Sequence, residues 1–208
     1  MPPSSRPASL KRLRAVLWII AGAALLGAAA FVFVGKDRRP ADPASTTSAS
    51  RPFGGPFTLV GADGRPFSSE ALEGKPYAIY FGFTRCGDVC PTTLSRLVKL
   101  RRAAASDQAM AIVFVTIDPA NDGPKEVGQY AELFGAPIIG LTGAKAQIEQ
   151  VKKQYGIYAE AVPNAPMGKQ MMHTATVLLF DRNGSLSATI SPDEPDSSAL
   201  EKIKRLTV

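Results

Sequence analysis

Short apolar runs alternate with amphipathic segments through the last three quarters of the chain. Residues 77–83 and 111–117 are continuous apolar runs, too short for helices and typical of strands in the middle of a sheet. After the first run, an apolar stripe at helical spacing between Leu94 and Leu100 predicts a helix over residues 91–105. The pattern therefore predicts strands and helices in alternation.

The same two patterns continue to the end of the chain. The other predicted strands cover residues 57–60, 138–141, 157–162, 174–180 and 187–190, and the other predicted helices cover residues 124–134, 144–155 and 197–206. Turn residues around Gly64 and at 181–184 predict hairpins at the start and near the end. Strands that alternate with helices and close in an antiparallel hairpin predict an α/β fold, a thioredoxin-like mixed sheet flanked by helices.

A separate apolar stretch lies near the N-terminus. Residues 15–34 contain no charged side chain, and as a helix they would span about 30 Å, the thickness of the hydrocarbon core of a bilayer. A cleaved signal peptide is the alternative, because residues 28–30 are small enough for a cleavage site, but apolar residues continue beyond them. We predict an uncleaved transmembrane anchor, preceded by a cytoplasmic basic segment at residues 1–14.

The net positive charge of the chain is confined to this end. The sequence has a net charge of +6, and residues 1–39 alone carry 7 basic side chains and 1 acidic side chain. The remainder is formally neutral and offers no basic surface to nucleic acid. Residues 35–55 are rich in Pro, Ala, Ser and Thr and predict a flexible linker to a folded domain at residues 56–208. We expect a single-pass protein of a bacterial inner membrane, with this domain in the periplasm.

Candidate chemistry is concentrated at Cys86 and Cys90, the only two cysteines in the sequence. They stand between a predicted strand and a predicted helix, where backbone amides and the helix dipole favour thiolates. Their spacing allows a structural disulfide, a redox dithiol or a shared metal ion. Three intervening residues make a wider loop than the two of an ordinary redox motif, and paired thiolates prefer Cu(I), with Zn(II) the common competitor.

Three further groups of residues bear on this choice. His173, the only histidine, stands just before the strand predicted at 174–180 and is a candidate nitrogen ligand, although an isolated histidine is more often structural. Three methionines precede it and are either soft auxiliary ligands or ordinary core residues: Met167, Met171 and Met172. Asp118 and Asp122 follow the second buried strand, and they either cap the next helix or belong to a partner-docking loop.

Four segments of the chain carry a family resemblance. They are Phe81-Gly-Phe-Thr-Arg-Cys-Gly-Asp-Val-Cys-Pro-Thr-Thr-Leu94, Val115-Thr-Ile-Asp-Pro-Ala-Asn-Asp122, Ile139-Gly-Leu-Thr-Gly143 and His173-Thr-Ala-Thr-Val-Leu-Leu-Phe-Asp181. The sequence from about Phe57 to Leu206 resembles the Sco/SenC family of membrane-anchored, thioredoxin-like copper proteins, which help to assemble the copper-A site of cytochrome c oxidase subunit II. The three-residue cysteine spacing with a histidine ahead of a late strand is specific to this group.

The resemblance implies the function of a copper metallochaperone. Cys86, Cys90 and His173 would bind copper, as Cu(I) and also as Cu(II), and pass it to the oxidase subunit after receiving it from an upstream donor. Asp118 would belong to the loop that the family uses in partner contact, and Asp122 lies in the same loop.

Two positions depart from the pattern of the family. Gly87 stands where the family usually has proline, and Met172 stands where it usually has aspartate before the histidine. Glycine makes the cysteine loop more mobile. Loss of the aspartate removes a negative charge beside the ligand, which affects copper affinity, redox preference or the choice of client. The implied ligand set is intact.

Two other functions are compatible with this fold and a cysteine pair. As a thiol-disulfide oxidoreductase, the protein would reduce the cysteines of the oxidase subunit or of another extracytoplasmic client, with Cys86 attacking and Cys90 resolving. Such enzymes normally have a cis-proline just before the strand that faces the dithiol, and Pro163 and Pro166 lie well upstream of His173. A peroxidase is disfavoured, since we find no motif that places an activating Thr or Ser and an Arg around a lone cysteine.

Overall fold

The computed structural model describes Trp18 and residues 53–104, 110–165 and 171–207. The chain divides into two units, residues 1–49 and 50–208, and every described residue except Trp18 belongs to the second. The predicted basic segment, the membrane anchor and most of the linker therefore lie outside the described residues. In the part of the chain that is described, no helix combines the length and the apolar character needed to cross a membrane.

Nine strands and four helices make up the described part of the domain, with a short 3-10 turn at Ser69–Leu72. The strands are β1 (Thr58–Gly61), β2 (Pro66–Ser68), β3 (Tyr77–Gly82), β4 (Ala111–Thr116), β5 (Ile139–Thr142), β6 (Ala159–Ala161), β7 (Met171–His173), β8 (Val177–Phe180) and β9 (Leu186–Ile190). The helices are α1 (Val89–Ala103), α2 (Pro124–Glu132), α3 (Lys145–Gln154) and α4 (Asp196–Thr207).

Seven of the strands form one mixed sheet in the order β2-β1-β5-β4-β3-β8-β9. β3, β4 and β5 run parallel to one another, and the other neighbours in the sheet are antiparallel. β6 and β7 pair antiparallel in a separate two-stranded ribbon. The prediction of an α/β, thioredoxin-like mixed sheet flanked by helices is confirmed for this domain.

The centre of the sheet is buried, as the continuous apolar runs predict. Every residue of β3 is buried, and in β4 only Ala111 is partly exposed. Each large apolar side chain buried in this way contributes roughly 1.5–3 kcal/mol. α1 packs its Leu94 and Leu97 into this core. α2 lies so close to β5 that a Cβ added at Gly140 would be 2.6 Å from the carbonyl oxygen of Val127, so glycine permits this packing.

The structure corrects the prediction of one strand over residues 174–180. The strand is shorter than predicted: β8 begins only at Val177, and His173, the residue before the predicted strand, ends the separate strand β7. Thr174 explains the break, because its amide donates to the Tyr158 carbonyl and its hydroxyl accepts from the Tyr158 amide. These bonds continue the β6–β7 ribbon rather than the main sheet. The segment predicted as a strand at 157–162 belongs to the ribbon and is shorter, Ala159–Ala161.

Residues 53–55, which the sequence analysis places at the end of the linker, contact the domain. The Gly54 amide donates to the Gln154 carbonyl over 3.1 Å, and the Tyr155 hydroxyl donates to the Gly55 carbonyl over 3.0 Å. The Phe53 ring lies edge-on to the Tyr155 ring, with centroids 6.4 Å apart. These contacts attach the start of the domain to the end of α3.

Candidate metal centre

The order of strand, loop and helix places both cysteines at one end of the sheet. β3 ends at Gly82 and α1 begins at Val89, so Cys86 lies in the connecting loop and Cys90 in the first turn of the helix. Both are free thiols; Cys90 is buried and Cys86 is half-buried. The Cys90 amide lies 3.4 Å from the Cys86 sulfur and donates to it. The N-terminus of α1 therefore stabilises negative charge on Cys86.

His173 reaches the same place from the β6–β7 ribbon. Its Nε2 atom lies 3.6 Å from the Cys90 sulfur, and its Nδ1 atom lies 3.0 Å from the Thr174 carbonyl oxygen. A carbonyl oxygen only accepts, so Nδ1 is the donor in this contact, and Nε2 faces the cysteines. The rings of Tyr80 and Phe83 lie edge-on to the imidazole at centroid distances of 6.3 and 6.0 Å. The imidazole is thus oriented for ligation.

The structure brings the three predicted ligands together. The Sγ atoms of Cys86 and Cys90 and a ring nitrogen of His173 all lie within 4.8 Å of one another. Two thiolates and one imidazole are soft or borderline donors, and this set suits Cu(I) or Zn(II) better than a hard cation that prefers oxygen ligands. The residues present therefore fit a copper ion.

The two thiols have opposite tendencies to ionise. The hydrogen bond from the Cys90 thiol, reinforced by His173 and the Cys90 amide, outweighs burial and lowers the pKa of Cys86 to about 4. The interaction with Cys86, together with burial, raises the pKa of Cys90 well above its ordinary value. Near neutral pH the pair therefore holds one proton, on Cys90, and Cys86 is the thiolate.

Gly82 is a site residue that sequence analysis missed. A Cβ added there would lie 2.8 Å from the Cys90 sulfur and 3.1 Å from ring carbons of Phe114 and Tyr80. Real Cβ contacts are longer, so glycine at the end of β3 makes room for the sulfur of Cys90. A glycine at the end of a predicted strand is the only signal that the sequence offers for this role.

Met171 and Met172, which precede His173 in β7, lie on opposite faces of the ribbon. Side chains alternate between the two faces of a strand, so Met171 shares the face of His173 and Met172 takes the opposite face. Met171 is half-buried against the core, whereas Met172 is 56% exposed and pairs with Glu160. Met167 lies outside the described residues. Met172 therefore points away from the cysteines.

Asp118 and Asp122 lie in the loop between β4 and α2, beside the cysteine loop. The Asp118 carboxylate pairs with the Arg85 guanidinium at 2.7 Å. Asp122 is fully buried, and its carboxylate accepts hydrogen bonds from Thr84 and Thr116. The prediction that these aspartates cap the next helix is wrong: the N-cap of α2 is Gly123, without a side-chain cap. Their carboxylates are engaged by other side chains instead.

Known proteins are similar to this chain in sequence. The sequence profile of the SCO1/SenC family matches residues 45–208. SCO2, a mitochondrial protein of Saccharomyces cerevisiae, is 31% identical over 189 residues, which cover 86% of this chain and 63% of that protein. The chain thus spans less than two thirds of the length of this relative.

Solved structures give the same result. ScoI of Bradyrhizobium japonicum with copper bound is 34% identical, has a TM-score of 0.66, and is matched over 74% of this chain and 99% of that one. Yeast Sco1 with copper bound is 30% identical, also with a TM-score of 0.66, over 74% and 87% of the respective chains. Together with the profile match, these similarities show that the chain belongs to the SCO1/SenC family.

Proposed function

We propose that the protein is a membrane-anchored copper metallochaperone that supplies copper to the copper-A site of cytochrome c oxidase subunit II during assembly of the oxidase. The observation that carries the proposal is the convergence of Cys86, Cys90 and His173 within 4.8 Å. Membership of the SCO1/SenC family and the copper-bound structures of two similar proteins support copper, rather than zinc, as the cargo.

The protonation states of the two thiols determine how many protons they release when the ion binds. Cys86 is already a thiolate near neutral pH, and the imidazole of His173 is held with Nδ1 as donor to the Thr174 carbonyl. Of the two thiols, only Cys90 must lose a proton before its sulfur can bind the ion. Loading with Cu(I) therefore releases about one proton from the thiol pair near neutral pH.

The difference in burial between the cysteines suggests a direction of release. Cys86 is half-exposed, whereas Cys90 is fully buried. A thiolate or imidazole of the client would approach the ion from the side of Cys86 and replace that sulfur first. Cys90 and His173 would hold the ion until the client has bound it, after which Cys90 takes up a proton again.

The ligand set is tested by Cu(I) competition with a chromophoric chelator in the absence of oxygen. We expect one ion per domain and a fall of at least about tenfold in affinity for His173→Ala, since one of three ligands is lost. Met172→Ala is the matched control, because the neighbouring side chain points to the opposite face and should leave affinity unchanged. Equal affinity in the His173 variant and the wild type would exclude the three-ligand site.

A thiol-disulfide oxidoreductase is the second candidate, and the asymmetry of the thiols favours it specifically. A low-pKa, half-exposed Cys86 beside a buried Cys90 is suited to attack on a disulfide followed by resolution. The test is reduction of a disulfide-containing subunit II fragment by the metal-free protein. Full activity in His173→Ala, combined with weak copper binding by the wild type, would favour this function over metal delivery.

We also propose that residues 15–34 anchor the protein in a bacterial inner membrane and that residues 35–55 tether the domain on the periplasmic side. The apolar run and the composition of the linker support this arrangement. Membrane fractionation of the full chain, followed by protease treatment of spheroplasts, tests it. The domain should sediment with membranes and be cleaved from outside; a domain recovered in the soluble fraction, or protected in spheroplasts, would contradict the proposal. A copper donor would act on the same side.

A further inference from the structure

The buried carboxylate of Asp122 accepts hydrogen bonds from the loop that carries Cys86. Asp122 has 0% exposure. Its Oδ2 atom accepts from the Thr84 amide at 2.9 Å and from the Thr116 hydroxyl at 2.6 Å, and its Oδ1 atom accepts from the Thr84 hydroxyl at 2.6 Å. In the described part of the chain, Asp122 takes part in no ion pair. The hydrogen-bond donors alone therefore compensate for burial of this group.

Two of the three donated hydrogen bonds come from Thr84, which lies in the turn that presents Cys86. The Cys86 amide donates to the Phe83 carbonyl over 3.2 Å, which closes a turn over residues 83–86. Thr84 is inside this turn, so the carboxylate of Asp122 fixes the backbone just ahead of the half-buried sulfur. Cys90 needs no such contact, because it is held by the first turn of α1.

The carboxylate of Asp122 is also bonded to the main sheet. The Thr116 hydroxyl, at the end of β4, donates to it over 2.6 Å. The carboxylate therefore links the end of β4 to the cysteine loop. The backbone of Asp122 has separate partners: the Thr142 hydroxyl donates to its carbonyl over 2.6 Å, and its amide donates to the Asp118 carbonyl over 2.9 Å.

We propose that Asp122 is a positioning residue of the metal centre. Its carboxylate holds the turn at residues 83–86 against the end of β4, and this contact sets the separation of the Cys86 and Cys90 sulfurs. When the contact is lost, Cys86 samples positions farther from Cys90 and His173. The consequence for Cu(I) affinity rests on the function proposed above, whereas the consequence for the thiol pair does not.

Matched threonine variants separate positioning from stability. Thr84→Val removes the hydroxyl donated to the carboxylate and leaves the amide in place, and Thr84→Ser keeps the hydroxyl. Thr142→Val is the control, because it makes the same change at a buried threonine whose hydroxyl bonds to the backbone carbonyl of Asp122 and not to its carboxylate. Each variant is measured for melting temperature, Cu(I) affinity and the equilibrium constant for oxidation of the two cysteines by glutathione disulfide, which yields one protein disulfide and two molecules of glutathione.

We expect both valine variants to lower the melting temperature. Thr84→Val should also lower the Cu(I) affinity and the oxidation constant by about three- to tenfold, as expected for loss of a hydrogen bond to a charged group. Thr84→Ser should restore both, and Thr142→Val should leave both within about twofold of the wild type. Unchanged values in Thr84→Val, or equal losses in Thr142→Val or Thr84→Ser, would overturn the proposal.

The measurements also distinguish failure of this proposal from failure of the proposed copper-binding function. If the wild type does not bind Cu(I), the copper assignment is wrong, and the oxidation constants still decide whether Asp122 positions the thiols. If Thr84→Val does not fold, Asp122→Asn tests the same contact, because the amide keeps the shape and loses the charge. It should show the same selective fall in the oxidation constant, and an unchanged constant would overturn the proposal.

Discussion

Two cysteines from one short motif have different roles because the fold gives them different surroundings. Cys90 lies buried in the first turn of α1, where Gly82 leaves room for its sulfur, whereas Cys86 remains half-buried in the loop. The pair shares a proton that resides on the buried sulfur. The half-buried sulfur of Cys86 is therefore the reactive one, and the thiol of buried Cys90 is its hydrogen-bond donor.

This asymmetry predicts the pH dependence of alkylation in the metal-free, reduced protein. With its pKa lowered to about 4, Cys86 stays a thiolate from about pH 8 to pH 6, so its rate with iodoacetamide should be nearly constant. An ordinary thiol would slow roughly 80-fold over this range. Mass spectrometry of the alkylated peptide checks the site. A rate that falls with pH like that of an ordinary thiol would refute the lowered pKa, and Cys90→Ala should move the profile toward that behaviour.

Gly82 gives a second prediction for a single residue. Gly82→Ala introduces a Cβ 2.8 Å from the Cys90 sulfur, so Cys90 must move and the unfolding free energy should fall by about 1–3 kcal/mol. Cu(I) affinity should fall as well. Gly61→Ala is the control, because a Cβ there meets only the movable side chain of Asp63 within 3.0 Å. Chemical denaturation and Cu(I) competition measure both effects, and equal effects of the two substitutions would contradict a specific role for Gly82.

Sequence points to the candidate ligands but not to the residues that hold them in place. Cys86, Cys90 and His173 are chemically distinctive and rare in this chain, but their spacing leaves a disulfide, a redox dithiol and a metal site open, and only the resemblance to the Sco/SenC family implies the ligand set. Gly82, Thr84 and the carboxylate contact of Asp122 act through distances between segments far apart in sequence. A single sequence contains no information on such distances beyond the order of its elements.

At the scale of elements, apolar patterning predicts the buried strands well and the ribbon poorly. β3 and β4 are continuous apolar runs because both of their faces are covered, and the predicted bounds agree within one residue at the C-terminal end. β6 and β7 have three residues each and are partly exposed, so their pattern is weak. Tyr158 and Thr174 decide the pairing of the ribbon through hydrogen bonds that periodicity does not detect.

Two buried tyrosines, one on α2 and one just after α3, differ in whether their hydroxyl groups have a hydrogen-bond partner. The Tyr130 hydroxyl on α2 is buried and has no hydrogen-bond partner among the described residues, whereas the Tyr155 hydroxyl after α3 donates to the Gly55 carbonyl. Tyr130→Phe should therefore raise the unfolding free energy by about 1 kcal/mol, and Tyr155→Phe should lower it by about 1 kcal/mol. Urea denaturation compares the two. A loss of stability in Tyr130→Phe would show that its hydroxyl does have a partner.

At the scale of the whole molecule, the metal centre joins parts of the chain that are distant in sequence. The cysteines belong to the β3–α1 connection and His173 to the ribbon, more than 80 residues later. An ion that binds all three ligands in the folded state, and the unfolded chain only weakly, adds to stability by mass action. Charge is also distributed unevenly along the chain: the net positive charge lies in residues 1–39, and the domain is formally neutral.

Copper should therefore stabilise the domain as a whole. Free Cu(I) at about a thousand times its dissociation constant would add about 4 kcal/mol to the unfolding free energy. Calorimetry with Cu(I) buffered by a chelator measures this gain, and Met172→Ala should match the wild type. In His173→Ala the gain at the same free Cu(I) should be smaller; a gain equal to that of the wild type would mean that the ion does not join the ribbon to the cysteine loop.

The central claim is that Cys86, Cys90 and His173 bind one copper ion together. X-ray absorption spectroscopy of the Cu(I)-loaded domain tests it most directly, since it counts sulfur and nitrogen neighbours of the metal. The account predicts two sulfurs and one imidazole nitrogen in the wild type, and loss of the imidazole signal in His173→Ala. A wild-type spectrum with sulfur neighbours alone, unchanged by the substitution, would contradict it.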